Sequence, residues 1–287
     1  MRSRPPAAWS LLLAAALLLA ACSSVGLAYR NAGMLYESAP TLMLWSIDDY
    51  LDLTDSQKSL ARERLERAHA WHRRNALPAY SEFLATLDAQ VDAGLTEEAL
   101  RADHARLQGF MRAIAEHLLP DAADLFATMD AGQVNELEEG LAKADRKVLE
   151  EAQDLRSRSV GRTLSHLEAW TGALRAPQRE MVKSRMRAWP DLTSQRIAEW
   201  RVRQARLIAL MRAGLPRDEM VAQLRGLLFD TGAWRDPAYA QAMRERDSAM
   251  AGMLAELART LDESQLAQVK ARIRGLQADI ARARRES

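Results

Sequence analysis

Apolar residues recur along the chain with a period close to 3.6, the spacing of one face of an α-helix. The pattern is clearest behind four glutamines, where the positions four, eight and eleven residues later are always apolar or small. The glutamines are Gln57, Gln133, Gln178 and Gln265, and the positions behind them are Ala61, Leu65 and Ala68; Leu137, Leu141 and Ala144; Val182, Met186 and Trp189; and Val269, Ile273 and Leu276. No stretch alternates with period two for long. The pattern therefore predicts an all-α protein.

A helix-capping signal precedes three of these glutamines. Thr54, Asp130 and Asp262 each stand three residues before a glutamine, the spacing of a capping box. The fourth copy has Arg175 at the cap position. The four copies predict four helices that begin in the same way.

A larger repeat contains this one. "DAGLTEEAL" (92–100) matches "RAGLPRDEM" (212–220). Gly94 and Gly214 are each predicted to end a helix. The distance from the preceding capping glutamine is similar in both copies. We therefore predict a tandem duplication.

The predicted architecture is an antiparallel helical bundle of two duplicated units, 41–157 and 158–287, packed as one body. The repeats themselves cover about 51–155 and 172–285. The predicted helices are 41–51, 55–76, 79–93, 97–118, 131–157, 177–188, 193–213, 217–229, 237–260 and 263–284. Pro78, Gly94 and Pro120 are expected to separate neighbouring helices.

The N-terminus has the pattern of an export signal. Arg2 and Arg4 precede an apolar run that is shorter than the roughly 20 residues needed to span a bilayer. "LAAC" ends the run at Cys22 and resembles a bacterial lipobox. The resemblance implies that residues 1–21 are a signal peptide and that Cys22 becomes acylated. An ordinary signal peptide, or an uncut membrane anchor, is the alternative.

The predicted location follows from the residues around this cysteine. Ser23 follows Cys22, and by resemblance to known sorting rules this implies the outer membrane, facing the periplasm. Residues 22–40 would then form the lipidated N-terminus and a tether. Cys22 is the only cysteine, so no intramolecular disulfide forms.

The net charge changes the list of expected partners. Removing residues 1–21 removes two arginines and no acid, which takes the formal net charge from +1 to −1. A nearly neutral chain has no long-range field to attract DNA or anionic lipid. We expect membrane attachment through the Cys22 lipid and no nucleic-acid partner.

One segment is a candidate partner surface. "WHRRNALPAY" (71–80) clusters aromatic, basic and proline residues at a predicted kink, and packing at a helix end is the alternative. The candidate surface residues are Trp71, His72, Arg73, Arg74, Pro78 and Tyr80. A second possible apolar surface includes Trp170, Trp200, Trp234, Met243, Met250 and Met253, which would otherwise fill the core.

No catalytic or cofactor-binding motif is found in the sequence. His69 and His72 are spaced as metal ligands can be, but further ligands at suitable spacing are missing. The acids Asp48, Asp49, Asp52 and Asp55 could hold calcium, but they lack the glycine turn of a calcium loop. We expect no cofactor, no metal and no enzymatic activity.

Two segments carry a resemblance to known proteins. "LWSIDDYLDLTDSQ" (44–57) and "WHRRNALPAY" resemble a family of uncharacterised proteobacterial envelope lipoproteins. The Leu-Thr-x-x-Gln signal is also similar to that of small periplasmic helical proteins of the Spy and CpxP type. The resemblance implies a helical, periplasm-facing lipoprotein of unknown activity.

The expected function is a non-catalytic interaction, adaptor or chaperone-like role, with another envelope protein as a possible partner. The alternative is a cell-envelope hydrolase. The partner and the oligomeric state are left open by the sequence.

Overall fold

The computed structural model describes residues 36–150 and 152–285, without the side chains of 147–149 and 152–157. Helices occupy most of these residues, and no β-strand occurs among them, which confirms the predicted all-α class. The α-helices are α1 (Ala39–Leu51), α2 (Asp55–Trp71), α3 (Leu77–Ala93), α4 (Glu97–Phe126), α5 (Ala131–Glu150), α6 (Ala152–Thr171), α7 (Ala176–Ala188), α8 (Thr193–Arg212), α9 (Arg217–Phe229), α10 (Pro237–Ala258) and α11 (Glu263–Ala283). A π-helical turn (His72–Ala76) joins α2 to α3, and a 3-10 helix (Thr231–Ala233) precedes α10.

The two prolines predicted to separate helices do not do so. Pro78 is the second residue of α3, and the π-helical turn connects this helix directly to α2. Pro120 lies inside α4, which continues to Phe126. Leu119 and Ala123 on either side of Pro120 are 3% and 1% exposed. Their burial holds the helix together at a position where a proline in a solvated helix costs about 3 kcal/mol.

The chain between the two predicted units is also more helical than expected. The sequence predicts one helix over 131–157 and none from there to 177. The described residues are helical from Ala131 to Glu150 (α5) and from Ala152 to Thr171 (α6), so helix extends beyond the predicted end at 157. Helix α6 packs on α5, α7 and α11. Its short buried face, which includes Leu164, gains its stability from those tertiary contacts.

The last helix of each half packs on the other half. Helix α5 contacts α8, and α11 contacts α3. Helix α4 contacts α2 of its own half and α9 and α10 of the following half. This reciprocal packing joins the two halves along the length of α4 and explains why the main hydrophobic core contains residues of both, such as Leu137 and Ile273.

The periodic residues that predicted the helices form these cores. Ala61, Leu65 and Ala68 of α2 are buried, and Val182 of α7 is fully buried. Met186 is half-buried and packs at the edge of a second, smaller core. That smaller core consists of Leu164, Leu174, Val182, Met253 and Leu257.

Candidate functional site

The most regular polar feature of the interior is a pair of glutamines. Gln57, in the first turn of α2, and Gln133, in the first turn of α5, bind each other through reciprocal amide hydrogen bonds of 3.0 and 2.8 Å. The amide nitrogen of Gln57 also donates to the Thr128 carbonyl (2.8 Å). That of Gln133 donates to the Asp52 carbonyl (3.0 Å). Each side chain thus binds the chain segment that leads into the other's helix.

The same oxygens also complete the capping boxes. The Gln57 carbonyl oxygen accepts from the Thr54 backbone N–H at 2.9 Å, and that of Gln133 accepts from the Asp130 N–H at 3.2 Å. Gln57 and Gln133 are 4% and 9% exposed. Both side chains use every donor and acceptor that they have. Because a buried amide without partners is costly, these bonds hold the two helix ends to each other.

A second glutamine pair repeats this arrangement in the other half of the chain. Gln178 of α7 and Gln265 of α11 exchange hydrogen bonds of 2.9 and 3.0 Å. Gln178 donates to the Thr260 carbonyl and Gln265 to the Ala173 carbonyl, each at 3.0 Å. Most contacts of the first pair have counterparts here, but Gln133 also donates to the Leu51 carbonyl and Gln178 also donates to the Thr260 hydroxyl, each at 3.2 Å.

A further difference lies at Arg175. Its backbone N–H donates to the Gln178 carbonyl oxygen (2.8 Å), which keeps half of the capping box. A guanidinium has no acceptor for the first-turn N–H. Instead the Arg175 side chain donates to the Thr260 carbonyl and lies 3.6 Å from Asp262. The arginine therefore binds the neighbouring helix end that its partner glutamine also binds.

The first pair adjoins a shallow cavity of about 180 Å³. Its lining residues are Thr54, Ser56, Gln57, Leu60, Thr128, Asp130 and Gln133. This volume is below the roughly 300–1,000 Å³ of typical small-molecule sites. The polar groups that line it, above all the two glutamines, are already bonded to the helix ends.

The segment predicted as a partner surface lies mostly inside the protein. His72 and Tyr80 are 1% and 6% exposed, so these two cannot contribute to an exposed surface. Trp71, Arg73 and Pro78 are half-buried, and Arg74 is exposed. The partner-surface interpretation remains a prediction only for these four.

Aromatic packing accounts for the burial of this segment. A hydrogen bond of 3.1 Å joins the Tyr36 hydroxyl to Nδ1 of His72. The Tyr36 ring lies 4.4 Å from that of His69, and the His72 ring lies 5.4 Å from that of Tyr80. Arg73 forms an ion pair with Glu37. The π-helical turn thus binds the N-terminal end of the described chain.

Burial changes the protonation of these groups. It lowers the pKa of His72 to about 4, with a smaller contribution from nearby His69, and it raises the pKa of Tyr36 to about 12. Burial and the charge of Arg73 also lower the pKa of His69. Both imidazoles are therefore neutral near pH 7.

The remaining sequence candidates have structural roles or lie outside the described residues. Asp48 accepts from the Leu53 N–H and pairs with Lys58, each at 3.0 Å, so this acid stabilises the turn into α2. Cys22 lies outside the described residues. The tryptophans and methionines of the second candidate surface are half-buried, except for Met253, which is 2% exposed. Among the described residues, no group of three or more His, Cys, Asp and Glu side chains is arranged to hold a metal ion.

One polar cluster was not predicted from the sequence. The same oxygen of Glu199 accepts from Arg203 at 2.9 Å and from Arg235 at 2.8 Å. Both guanidinium groups lie over the Trp234 ring, at 5.4 and 5.9 Å. The cluster attaches the segment after the 3-10 helix to α8. Local sequence gives no signal for it, because Glu199 and Arg235 are far apart in the chain.

Fold and interior together define an all-α protein whose helix ends are joined by paired capping glutamines. The chain belongs to a family of unknown function, DUF6279, which matches residues 49–240. This confirms the expectation of an uncharacterised family, while the envelope location and the similarity to Spy and CpxP stay predictions. No match was found among curated proteins or among solved structures. No helix in the described part of the chain is long and apolar enough to cross a bilayer.

Proposed function

We propose that the protein is a bacterial envelope lipoprotein, acylated at Cys22 and facing the periplasm, whose helical body is a non-catalytic interaction, adaptor or chaperone-like module. The observation that supports a non-catalytic role is that the buried polar side chains serve to join helices. Gln57, Gln133, Gln178 and Gln265 bind helix ends and each other. Buried polar groups used in this way support a rigid scaffold.

We also propose that the body arose by tandem duplication. The two glutamine pairs share their main hydrogen bonds, including the donation from Gln57 and from Gln178 to a threonine carbonyl. Thr128 and Thr260 further share a bond from their own hydroxyl to the carbonyl three residues earlier, at 2.7 and 2.8 Å. The reciprocal packing of α5 on α8 and α11 on α3 is what two copies of one unit would produce.

The lipoprotein proposal is tested at Cys22. Mass spectrometry of protein from the membrane fraction is expected to show acylation on Cys22 and cleavage before it. The Cys22→Ala variant is expected to accumulate as an uncleaved precursor, whereas Ser23→Ala is expected to be processed normally. A mature wild-type protein that stays water-soluble with an unmodified N-terminus contradicts the proposal.

The interaction role is tested by crosslinking in the cell. A photoreactive residue at exposed Arg74 is expected to capture one envelope protein reproducibly, and the same residue at exposed Arg259 serves as a control. Recovery of no partner from a scan of exposed positions, combined with turnover of an envelope substrate by the purified body, contradicts a non-catalytic role.

A further inference from the structure

The outward face of α1 carries two neighbouring apolar side chains. Trp45 is 65% exposed and Leu42 is 36% exposed. They are three residues apart and so adjacent on the helix surface. The opposite face of α1 is buried against α2 and α5. The other large apolar side chains exposed in the described chain, Leu107 and Val202, lie apart on α4 and α8.

This face lies close in sequence to Cys22, the proposed site of acylation. Residues 23–35 separate Cys22 from Tyr36, and thirteen residues reach at most about 45 Å. The contacts of Tyr36 with His69 and His72 fix where the chain enters the body. Trp45 is nine residues further on, about 13 Å along the helix. The face formed by Leu42 and Trp45 is therefore held within reach of the membrane surface.

We propose that the α1 face formed by Leu42 and Trp45 docks on the headgroup region of a phospholipid bilayer and orients the helical body beside its anchor. The inference rests on the proposed acylation of Cys22. Tryptophan is enriched at membrane–water interfaces because its ring is apolar and its N–H is polar. A short tether raises the effective concentration of the bilayer to the millimolar range, so a weak contact is sufficient.

A bilayer fits this face better than a protein partner does. The two side chains offer about 200 Å² of apolar surface, well below the roughly 800 Å² that each partner contributes to a stable protein interface. The charge on the helix also indicates the kind of lipid. Helix α1 contains no Lys or Arg, while Asp49 is exposed within it and Asp52 directly after it. We therefore expect zwitterionic headgroups to be favoured over anionic ones.

The test uses the mature chain, residues 22–287, with Cys22→Ser, so that an introduced cysteine is the only thiol. Thr41→Cys, exposed beside Trp45, carries an environment-sensitive fluorophore, and Ala205→Cys, exposed beside Val202, is the matched control. Phosphatidylcholine vesicles containing a headgroup-level spin-label quencher are titrated in up to millimolar lipid, the effective concentration that the tether would supply. Quenching at position 41 is expected to exceed that at 205 several-fold.

Two further variants sharpen the expectation. Leu42→Ser with Trp45→Ser is expected to weaken vesicle partitioning about tenfold, whereas Val202→Ser leaves it unchanged. Replacing part of the phosphatidylcholine with phosphatidylglycerol is expected to weaken binding because of Asp49 and Asp52. Equal quenching at positions 41 and 205 overturns the proposal.

Protection of the label without vesicles overturns it as well. Protection that is independent of protein concentration assigns the face to residues 23–35 of the same chain, and protection that grows with concentration assigns it to a second copy. The acylation of Cys22 is measured separately on protein from cells. An unacylated Cys22 therefore contradicts the lipoprotein proposal, while the vesicle titration measures the α1 face by itself.

Discussion

At the scale of single residues, glutamine suits the helix starts because one side chain serves three purposes. The Gln57 oxygen accepts from the cap N–H and from Gln133, while its two N–H groups donate to Gln133 and to the Thr128 carbonyl. A glutamate at the same place would lack both donors and would bring a charge into a buried position. The amide, rather than the acid, is required by this geometry.

The first prediction concerns this pair. Gln57→Leu removes one hydrogen-bond partner each from the Thr54 N–H and the Thr128 carbonyl and both bonds to Gln133, so we expect the free energy of unfolding to fall by about 2–4 kcal/mol. Gln223→Leu, at an exposed position on α9, is the control and should change it by less than about 0.5 kcal/mol. Urea denaturation followed by circular dichroism measures both. Equal effects of the two variants would show that the pair does not stabilise the fold.

A second prediction follows from the pKa of His72. Its folded pKa of about 4 is below the ordinary value of 6.5, so between these pH values the unfolded chain binds more protons than the native chain. The contribution of His72 is therefore complete above about pH 6.5 and is lost as the pH falls toward 4, a loss on the order of 2–3 kcal/mol.

His72→Asn keeps a neutral polar group in place and should make the free energy of unfolding less dependent on pH between 7 and 4.5. His166→Asn, at an exposed position on α6, should leave that dependence unchanged. Urea titrations at several pH values test this. The prediction is wrong if the two variants follow the same pH profile.

At the scale of the elements, two glycines have different roles because their backbone conformations differ. Gly94 follows α3 with φ of +91°, a conformation that side chains with a Cβ disfavour. Gly109 lies inside α4 at an exposed position. A Cβ added at either glycine would meet no atom within 4 Å. Backbone conformation alone therefore distinguishes the two positions.

The third prediction uses these glycines as a matched pair. Gly94→Ala should destabilise the protein by about 1–2 kcal/mol through backbone strain. Gly109→Ala should stabilise it by about 0.5–1 kcal/mol, because alanine is the better helix former. Thermal unfolding midpoints measure both changes. Shifts in the same direction would contradict the positive φ assigned to Gly94.

At the scale of the whole molecule, the reciprocal packing of the halves makes separate unfolding unfavourable. Removing α11 would expose the face of α3 that it covers, and removing α5 would expose that of α8. Leu137 of α5 and Ile273 of α11, 2% and 0% exposed, belong to the same core. Each half therefore depends on the other for the burial of its apolar surface.

The fourth prediction is a single unfolding transition. Leu137→Ala and Ile273→Ala should each lower the free energy of unfolding by about 2–5 kcal/mol. Because the core is shared, each variant should show one shifted midpoint, and circular dichroism and tryptophan fluorescence should agree on it. Two separate transitions, with each substitution affecting only one, would show that the halves fold independently.

The sequence by itself determined the helical class, the starts of α2, α5, α7 and α11, and the glycines that end α3 and α8. These features depend on interactions within about four residues, namely caps, first-turn amides and the period of the apolar face. They can be read locally because the atoms that make them are neighbours in the chain.

Only the tertiary structure decided how these elements are joined. Gln57 binds Gln133 across 76 residues, a pairing that no capping pattern specifies. Helix α4 continues through Pro120, and His72 is buried, because residues from distant segments cover them. Local rules assign each cap glutamine to its own helix, but its remaining hydrogen bonds are satisfied by whichever helix end folding brings beside it.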